Sequence, residues 1–276
     1  MHQPMDQPPN RRRLLAAASG LAASWAWAWP GPSAAATVSP ERGLAAYRRM
    51  LCGAEGEEVL WWFIGELYLH APGASVVPVA RSLTIGGYTA GPSSARAFRY
   101  QFREAGVIIG LDSGERLMSN PFTGEPADVP LVDEAPHDID WALQDDGSVT
   151  RTAHGKSSTL NHRWTETSAS LLLLETQPGK NAFALAPGDS GVDWKALEST
   201  RTVYAKRTAL DGSGFVPADM IFHVALKLNP PWLAPAKPTP GDRWLIVRGL
   251  GQKSRAKDVV NQDALDIVRR YFPKYL

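Results

Sequence analysis

The feature that most constrains the fold is a long succession of short segments, rich in β-branched and aromatic residues, separated by turn residues. Such segments occur at 59–70, 75–88, 97–109, 160–167, 170–175, 202–208, 220–228 and 244–247. Asp-Ser-Gly, Asp-Asp-Gly and Asp-Gly-Ser-Gly clusters lie between them and are typical of turns. No long helical pattern alternates with these segments, which argues against a parallel sheet with crossover helices.

Helical patterning is mainly confined to the two ends of the chain that follows residue 36. Ser39 and Pro40 predict the start of one helix, and Pro273 ends a second one over 262–272. A short helix is also predicted near Val192. We therefore expect a mainly β fold, an antiparallel β-barrel or strongly curved sheet that is lipocalin-like in outline, with an N-terminal and a C-terminal helix.

Residues 1–36 have the pattern of a cleaved export signal. Arg11, Arg12 and Arg13 precede an apolar run, and small residues follow as far as Ala36. Two arginines, one residue and two leucines resemble a twin-arginine signature. A membrane anchor is the alternative, but the apolar run is shorter than the roughly 20 residues of a span. We expect the twin-arginine machinery to export the precursor, and residues 37–276 to form one periplasmic or otherwise exported domain without stable membrane insertion.

Charge and cysteine content exclude several classes of function. The chain has 29 Lys and Arg against 28 Asp and Glu, and loss of the leader removes three arginines and one aspartate, which leaves a net charge of −1. A chain without a basic excess is not expected to bind nucleic acid. Cys52 is the single cysteine, so neither an internal disulfide nor a cysteine zinc site can form.

Three predicted strands carry aromatic and ionisable residues in rows, because alternate residues of a strand share a face. The rows are Trp62, Ile64, Glu66, Tyr68 and His70; Phe98, Tyr100, Phe102 and Glu104; and Leu160, His162, Trp164 and Glu166. Apolar walls with a few converging polar groups suit a ligand pocket. The competing interpretation is that these faces are solvent-facing strand sides with surface carboxylates.

From these rows we predict Glu66, Tyr68, Tyr100 and Glu104 as catalytic residues. A carboxyl group enclosed by aromatic rings should have a raised pKa, in the range useful for proton transfer. Tyr68, Tyr100 or a histidine would be the partner acid. The predicted substrate-binding residues are Trp62, Phe102, His162, Trp164 and, as a cover over a barrel mouth, Trp232.

The spacing of residues indicates neither a metal site nor another cofactor. The histidines at 70, 137, 154, 162 and 223 lie on separate predicted elements, and no pair has His-x-x-x-His spacing, although three could still converge inside a barrel. No dinucleotide fingerprint, phosphate loop or serine-hydrolase elbow occurs. We therefore predict no metal and no cofactor.

Four motifs together are similar to a known family. They are EVLWWFIGELY at 58–68, NPFTGE at 120–125, NPPW at 229–232 and YFPKYL at 271–276. On these motifs the chain resembles the family catalogued as domain of unknown function 1838, over about residues 40–276. The resemblance implies an exported N-terminus, and it carries over no activity, cofactor or catalytic residue.

Three functions remain open. We favour an exported, cofactor-free acid–base enzyme, a lyase or isomerase, that acts on a small aromatic or apolar molecule in a pocket lined by Trp and Tyr. The alternative is a non-catalytic periplasmic carrier of an apolar ligand, which would use the same pocket. The third is a structural or partner-binding domain. Convergence of the four predicted catalytic residues on one enclosed cavity would favour the first two.

Overall fold

The computed structural model describes residues 36–70, 75–166, 170–177, 184–185, 194–227, 231–233, 244–255, 258 and 262–275. They belong to one compact unit that spans residues 36–276. The leader up to residue 35 lies outside the described residues, so the export signal stays a prediction. Of the described helices, none is both long and apolar enough to cross a bilayer.

The first helix, α1, spans Pro40–Leu51 and begins where the sequence predicts. The Ser39 hydroxyl accepts a backbone hydrogen bond from the first turn at 3.3 Å, which satisfies one of the free N–H groups of the helix start. Leu44, Tyr47 and Leu51 recur at helical spacing and are buried. One face of α1 is therefore apolar and packs into the sheet.

The remaining elements are mainly strands. They are β1 (Ala36–Thr37), β2 (Glu58–His70), β3 (Val77–Ser93), β4 (Ala97–Ile109), β5 (Val132–Leu143), β6 (Val149–Ala153), β7 (Lys156–Glu166), β8 (Ser170–Gln177), β9 (Ala184–Leu185), β10 (Trp194–Lys206), β11 (Asp219–Lys227) and β12 (Trp244–Arg255). Two further helices are α2 (Arg207–Asp211) and α3 (Gln262–Tyr271).

The described strands pair antiparallel and form a ring. In the order β7, β6, β5, β4, β3, β2, β12, β11, β10, β8 each strand is hydrogen-bonded to the next, and β8 pairs with β7. These ten described strands enclose an inner face and leave an outer face. The prediction of a mainly β, antiparallel and strongly curved sheet with a helix near each end is confirmed.

The structure differs from the sequence-based prediction in two regions. Strands β5 and β6 occupy a stretch where no strand is predicted, and Trp194 begins β10 instead of lying in a short helix. Pairing of β10 with β11 on one side and β8 on the other outweighs the weak helical spacing near Trp194.

The inner face is packed against α1 at the level of the tryptophans. Trp61 of β2 donates its indole N–H to the Leu51 carbonyl at 2.9 Å, and the Trp141 ring lies edge-on to Tyr47 with centroids 4.9 Å apart. Both tryptophans are fully buried in one apolar cluster with α1. At this level the barrel interior is core, because α1 occupies the space between the walls.

On the outer face, α3 covers the strands next to β2. Leu60 and Trp62 of β2 pack in one cluster with Leu265, Val268 and Phe272 of the helix. The two faces of β2 are therefore both buried over the first part of the strand, one by α1 and the other by α3.

Candidate functional site

The predicted catalytic residues are divided between the two faces of the sheet. Trp61 pairs with Gly86, and Gly86 pairs with Glu104, so Glu104 shares the inner face with Trp61. Glu66 and Tyr68 lie an odd number of residues from Trp61 along β2 and therefore point to the outer face. The four residues therefore do not converge, because the pleat of β2 and its register place the carboxyl groups of Glu66 and Glu104 on opposite sides of the sheet.

Glu66 and Tyr68 form a pair on the outer face. The Tyr68 hydroxyl donates a hydrogen bond to the Glu66 carboxylate, and this bond raises the pKa of Tyr68. Glu66 is exposed and Tyr68 is half-buried. An open strand face does not enclose a small substrate as a binding cavity does.

Tyr100 lies in the packed part of the inner face. Its ring centroid is 5.2 Å from that of Tyr88 and 6.1 Å from that of Phe98, and burial raises its pKa. Phe102, the next inward-facing residue of β4, is half-buried and lies edge-on to Tyr88 at 5.0 Å. These rings pack with one another, so Tyr100 belongs to the core.

The other predicted substrate-binding residues are dispersed. Trp62 lies beneath α3 and donates its indole N–H to the Ser254 hydroxyl at 2.9 Å. Trp232 is buried in a separate apolar cluster. Trp62 and Trp232 therefore do not share a pocket. His162 and Trp164 lie on β7. The structure describes the backbone of these two residues but not their side chains.

Glu104 faces the barrel interior between two neighbouring strands. It pairs with Gly86 on β3 and with Glu134 on β5. Burial, with a smaller contribution from the Glu134 carboxylate, raises the pKa of Glu104 to about 7, while the charge of Arg201 opposes the rise. Arg201 belongs to β10, which lies five strands away around the ring. A carboxyl group that titrates near neutral pH can accept or donate a proton there.

A β-bulge in β5 turns Glu134 and His137 to the same face. Glu134 pairs with Glu104 and His137 pairs with Phe102, so three steps along β5 correspond to two along β4. Residues three apart in a regular strand point to opposite faces, and the extra residue of the bulge restores a common direction. Pro136 lies within the bulge, a position where its missing N–H removes no ladder hydrogen bond.

His154 completes a cluster with Glu134 and His137. It forms a two-residue turn with Gly155 between β6 and β7, and their φ angles of 50° and 69° are typical of a type I′ hairpin. The Glu134 Oε1 atom lies 3.1 Å from Nε2 of His154 and 3.3 Å from Nδ1 of His137. The two imidazole rings are stacked with centroids 3.9 Å apart.

This cluster is open to solvent on the side of the hairpin. The side chain of His137 is 14% exposed, that of Glu134 is 32% exposed and that of His154 is 41% exposed. Burial lowers the pKa of His137, although the Glu134 carboxylate opposes the shift. A lowered pKa favours the neutral imidazole, whose ring nitrogen has a free lone pair.

The C-terminal end of the chain supports the same strand positions from the outer side. The Tyr275 hydroxyl donates to the Glu104 carbonyl at 2.8 Å and lies 3.3 Å from the Glu134 carbonyl. The Arg103 guanidinium lies over the Tyr275 ring at 4.5 Å and binds the Glu58 carboxylate at 2.7 Å. These contacts hold β4 and the bulge of β5 together next to the inward-facing carboxyl groups.

Two surface depressions lie elsewhere. One, of about 460 Å³, is lined by residues that include Phe98, Arg99 and Asp140, and the other, of about 160 Å³, lies between α1 and α2. Neither of these two contains a predicted catalytic residue. The polar groups around Glu104 lie outside both depressions.

Sequence reasoning did not place Glu134, His137 or His154 in a site. The period-two pattern of β5 is broken by the bulge, and Glu134 and His154 are far apart along the chain. The signal that could have identified the hairpin is the His-Gly pair at 154–155, since a left-handed residue followed by Gly is typical of a two-residue turn.

Comparison with known proteins adds little to this geometry. No family model and no curated protein matches the chain. Among solved structures, the chain is similar to Ail, the attachment invasion locus protein of Yersinia pestis, at 9% identity and a TM-score of 0.19; the match covers 72% of this chain and 99% of that one. A score this low supports no functional argument.

Proposed function

We propose that the chain is an exported acid–base catalyst, a lyase or isomerase acting on a small aromatic or apolar molecule, in which Glu104 transfers the proton. One observation carries this proposal: Glu104 is an inward-facing carboxyl group that stands opposite a second carboxylate, Glu134, beside the rings of Phe102 and Tyr88. Paired carboxyl groups next to an apolar surface are suited to general acid–base work on an apolar substrate.

The opposite wall of the barrel supplies the complementary charge. The positive charge of Arg201 opposes the rise in the pKa of Glu104 that burial causes. Removal of a proton from carbon leaves negative charge on the substrate, and a fixed positive group stabilises that charge more strongly where water is excluded. Glu66 and Tyr68, which lie on the outer face, are not part of the proposed centre.

The proposed location is the periplasm or another exported compartment. Its support is the twin-arginine-like pattern of residues 11–15 and the small residues before Ala36. Cleavage after Ala36 would leave Ser39, the cap of α1, in the mature chain. Membership of the family catalogued as domain of unknown function 1838 stays a prediction that rests on the four motifs.

Proton exchange with solvent tests the catalytic proposal without knowledge of the natural substrate. Residues 37–276 are incubated in D₂O with a panel of small aromatic ketones that carry acidic C–H bonds, and deuterium uptake at carbon is followed by NMR. We expect faster exchange with the wild-type protein and a fall of about 10²-fold or more in Glu104→Gln, because the amide cannot accept the proton. Glu125→Gln, at an exposed turn position, is the matched control.

Two results would contradict the proposal. Exchange within a few-fold of wild type in a folded Glu104→Gln variant would exclude Glu104 as the proton-transferring group. Saturable binding of panel members without any exchange in the wild-type protein would favour the carrier function instead. Far-UV circular dichroism of each variant confirms that the fold is retained.

A further inference from the structure

We propose that Glu134, His137 and His154 form a binding site for a divalent transition-metal ion, with Zn²⁺ as the best match. The three side chains come from the bulge of β5 and the hairpin between β6 and β7, so the fold assembles a site that no local spacing reveals. The inference does not depend on catalysis by Glu104.

Both imidazoles place a ring nitrogen next to the same carboxylate oxygen. Oε1 of Glu134 lies 3.3 Å from Nδ1 of His137 and 3.1 Å from Nε2 of His154. Zinc binds such donors at about 2.0–2.1 Å in a tetrahedron, which places neighbouring donor atoms about 3.3 Å apart. The two observed separations match that edge length.

The third edge of the tetrahedron requires one imidazole to turn, because two stacked rings do not direct both nitrogens at a common point. Each of the three residues has one possible ligand atom that lies within 4.8 Å of those of the other two. His154 is the most exposed of the three side chains, at 41%, and sits in a hairpin turn, so rotation of its ring can bring its nitrogen closer to that of His137.

The chemistry of the donor atoms indicates which class of ion the cluster suits. Two imidazoles and one carboxylate favour zinc or a neighbouring transition metal, whereas calcium and magnesium prefer sites built from oxygen alone. Three protein ligands leave a fourth position for water or a substrate atom. That position would face solvent beside the hairpin, where the cluster is open.

The backbone that places the donors departs from regular strand geometry at two positions. His154 has φ 50°, a left-handed conformation that few residues other than glycine adopt and in which asparagine, aspartate and histidine are enriched. The bulge that turns Glu134 toward His137 is a second local irregularity. Irregular backbone of this kind is concentrated at functional sites, and here two instances serve one cluster.

Metal titration of residues 37–276 tests the proposal directly. Isothermal titration with Zn²⁺ should show saturable binding of one ion per chain, and Co²⁺ should give the visible absorption bands of a tetrahedral site. His154→Asn, His137→Gln and Glu134→Gln should each weaken binding by on the order of 100-fold or more, since even partners of metal ligands contribute 10- to 100-fold. Asparagine suits the left-handed position, so His154→Asn should retain the hairpin.

The matched control is His223→Asn, at a histidine of β11 outside the cluster. It should bind Zn²⁺ as the wild type does, and Zn²⁺ should raise the thermal midpoint of both proteins but not of His154→Asn. Absence of saturable binding by the wild type would overturn the proposal, as would affinity within a few-fold of wild type in His154→Asn. The titration reports the ion alone, whereas deuterium exchange reports catalysis, so each proposal can fail separately.

Discussion

Lys253 gives the fold a pH dependence that can be measured directly. Its side chain is 4% exposed, and its Nζ atom donates hydrogen bonds to the carbonyls of Arg49 at 2.8 Å and Cys52 at 2.7 Å, at the C-terminal end of α1. Burial lowers the pKa of Lys253 from 10.5 to about 7. A neutral amine keeps two N–H donors, which is enough for both carbonyls.

The sign of the effect follows from proton binding in the two states. Between about pH 7 and 10.5 the unfolded chain holds the Lys253 proton more tightly than the folded chain, so the contribution of Lys253 to the free energy of unfolding rises with pH. One unit of pKa shift corresponds to about 1.4 kcal/mol. The contribution of Lys253 to the free energy of unfolding therefore rises by roughly 2 to 3 kcal/mol from about pH 7 to about pH 9. From the folded-state pKa to the unfolded-state pKa it rises by about 5 kcal/mol in total.

Urea unfolding at a series of pH values tests this reasoning. Lys253→Met keeps the length of the side chain but cannot titrate, so we expect it to lose the rise between about pH 7 and about pH 9. At about pH 9 the Lys253→Met variant also leaves the carbonyls of Arg49 and Cys52 without their hydrogen-bond donor, which should lower the free energy of unfolding by roughly 1 to 3 kcal/mol. Lys206→Met, at an exposed lysine, is the control and should keep the wild-type rise. A rise of wild-type size in Lys253→Met would refute the assignment.

Three further substitutions test the packing by thermal or urea unfolding. Gly249→Ala should destabilise the fold by roughly 1 to 3 kcal/mol or more, because the added Cβ would lie 2.6 Å from the Ile64 carbonyl and against the Phe222 ring. Gly214→Ala is the control, because its Cβ would extend into open space. Equal losses of stability in the two variants would contradict the predicted steric clash. Ser39→Ala should lower the free energy of unfolding by about 1 kcal/mol, and Ser39→Gly should lower it by only a few tenths of a kcal/mol. Equal losses would argue against Ser39 as the N-cap of α1. Tyr275→Phe should cost roughly 1 to 3 kcal/mol through its lost hydroxyl contacts, whereas Tyr68→Phe on the outer face should change stability by less than about 0.5 kcal/mol.

Local sequence pattern predicted the elements whose type depends on neighbours along the chain. Ser39 and Pro40 begin α1 because capping involves atoms within one turn. The predicted strands at 59–70 and 97–109 match β2 and β4 within one residue, because the β-branched and aromatic residues there follow the pleat. The pattern failed for β5, where exposed acidic residues and Pro136 interrupt the alternation.

The alternation of side chains along β2 and β4 was determined by the sequence alone, and so was the grouping of Glu66 with Tyr68 and of Tyr100 with Glu104. Which row faces the interior was decided by the tertiary structure, since both rows of β2 are apolar at Trp61 and Trp62 and either could be buried. Helix α1 packs against one row and α3 against the other. The pairing of Glu134 with Glu104 likewise depends on strand register and on a bulge, which join residues distant in sequence through backbone hydrogen bonds.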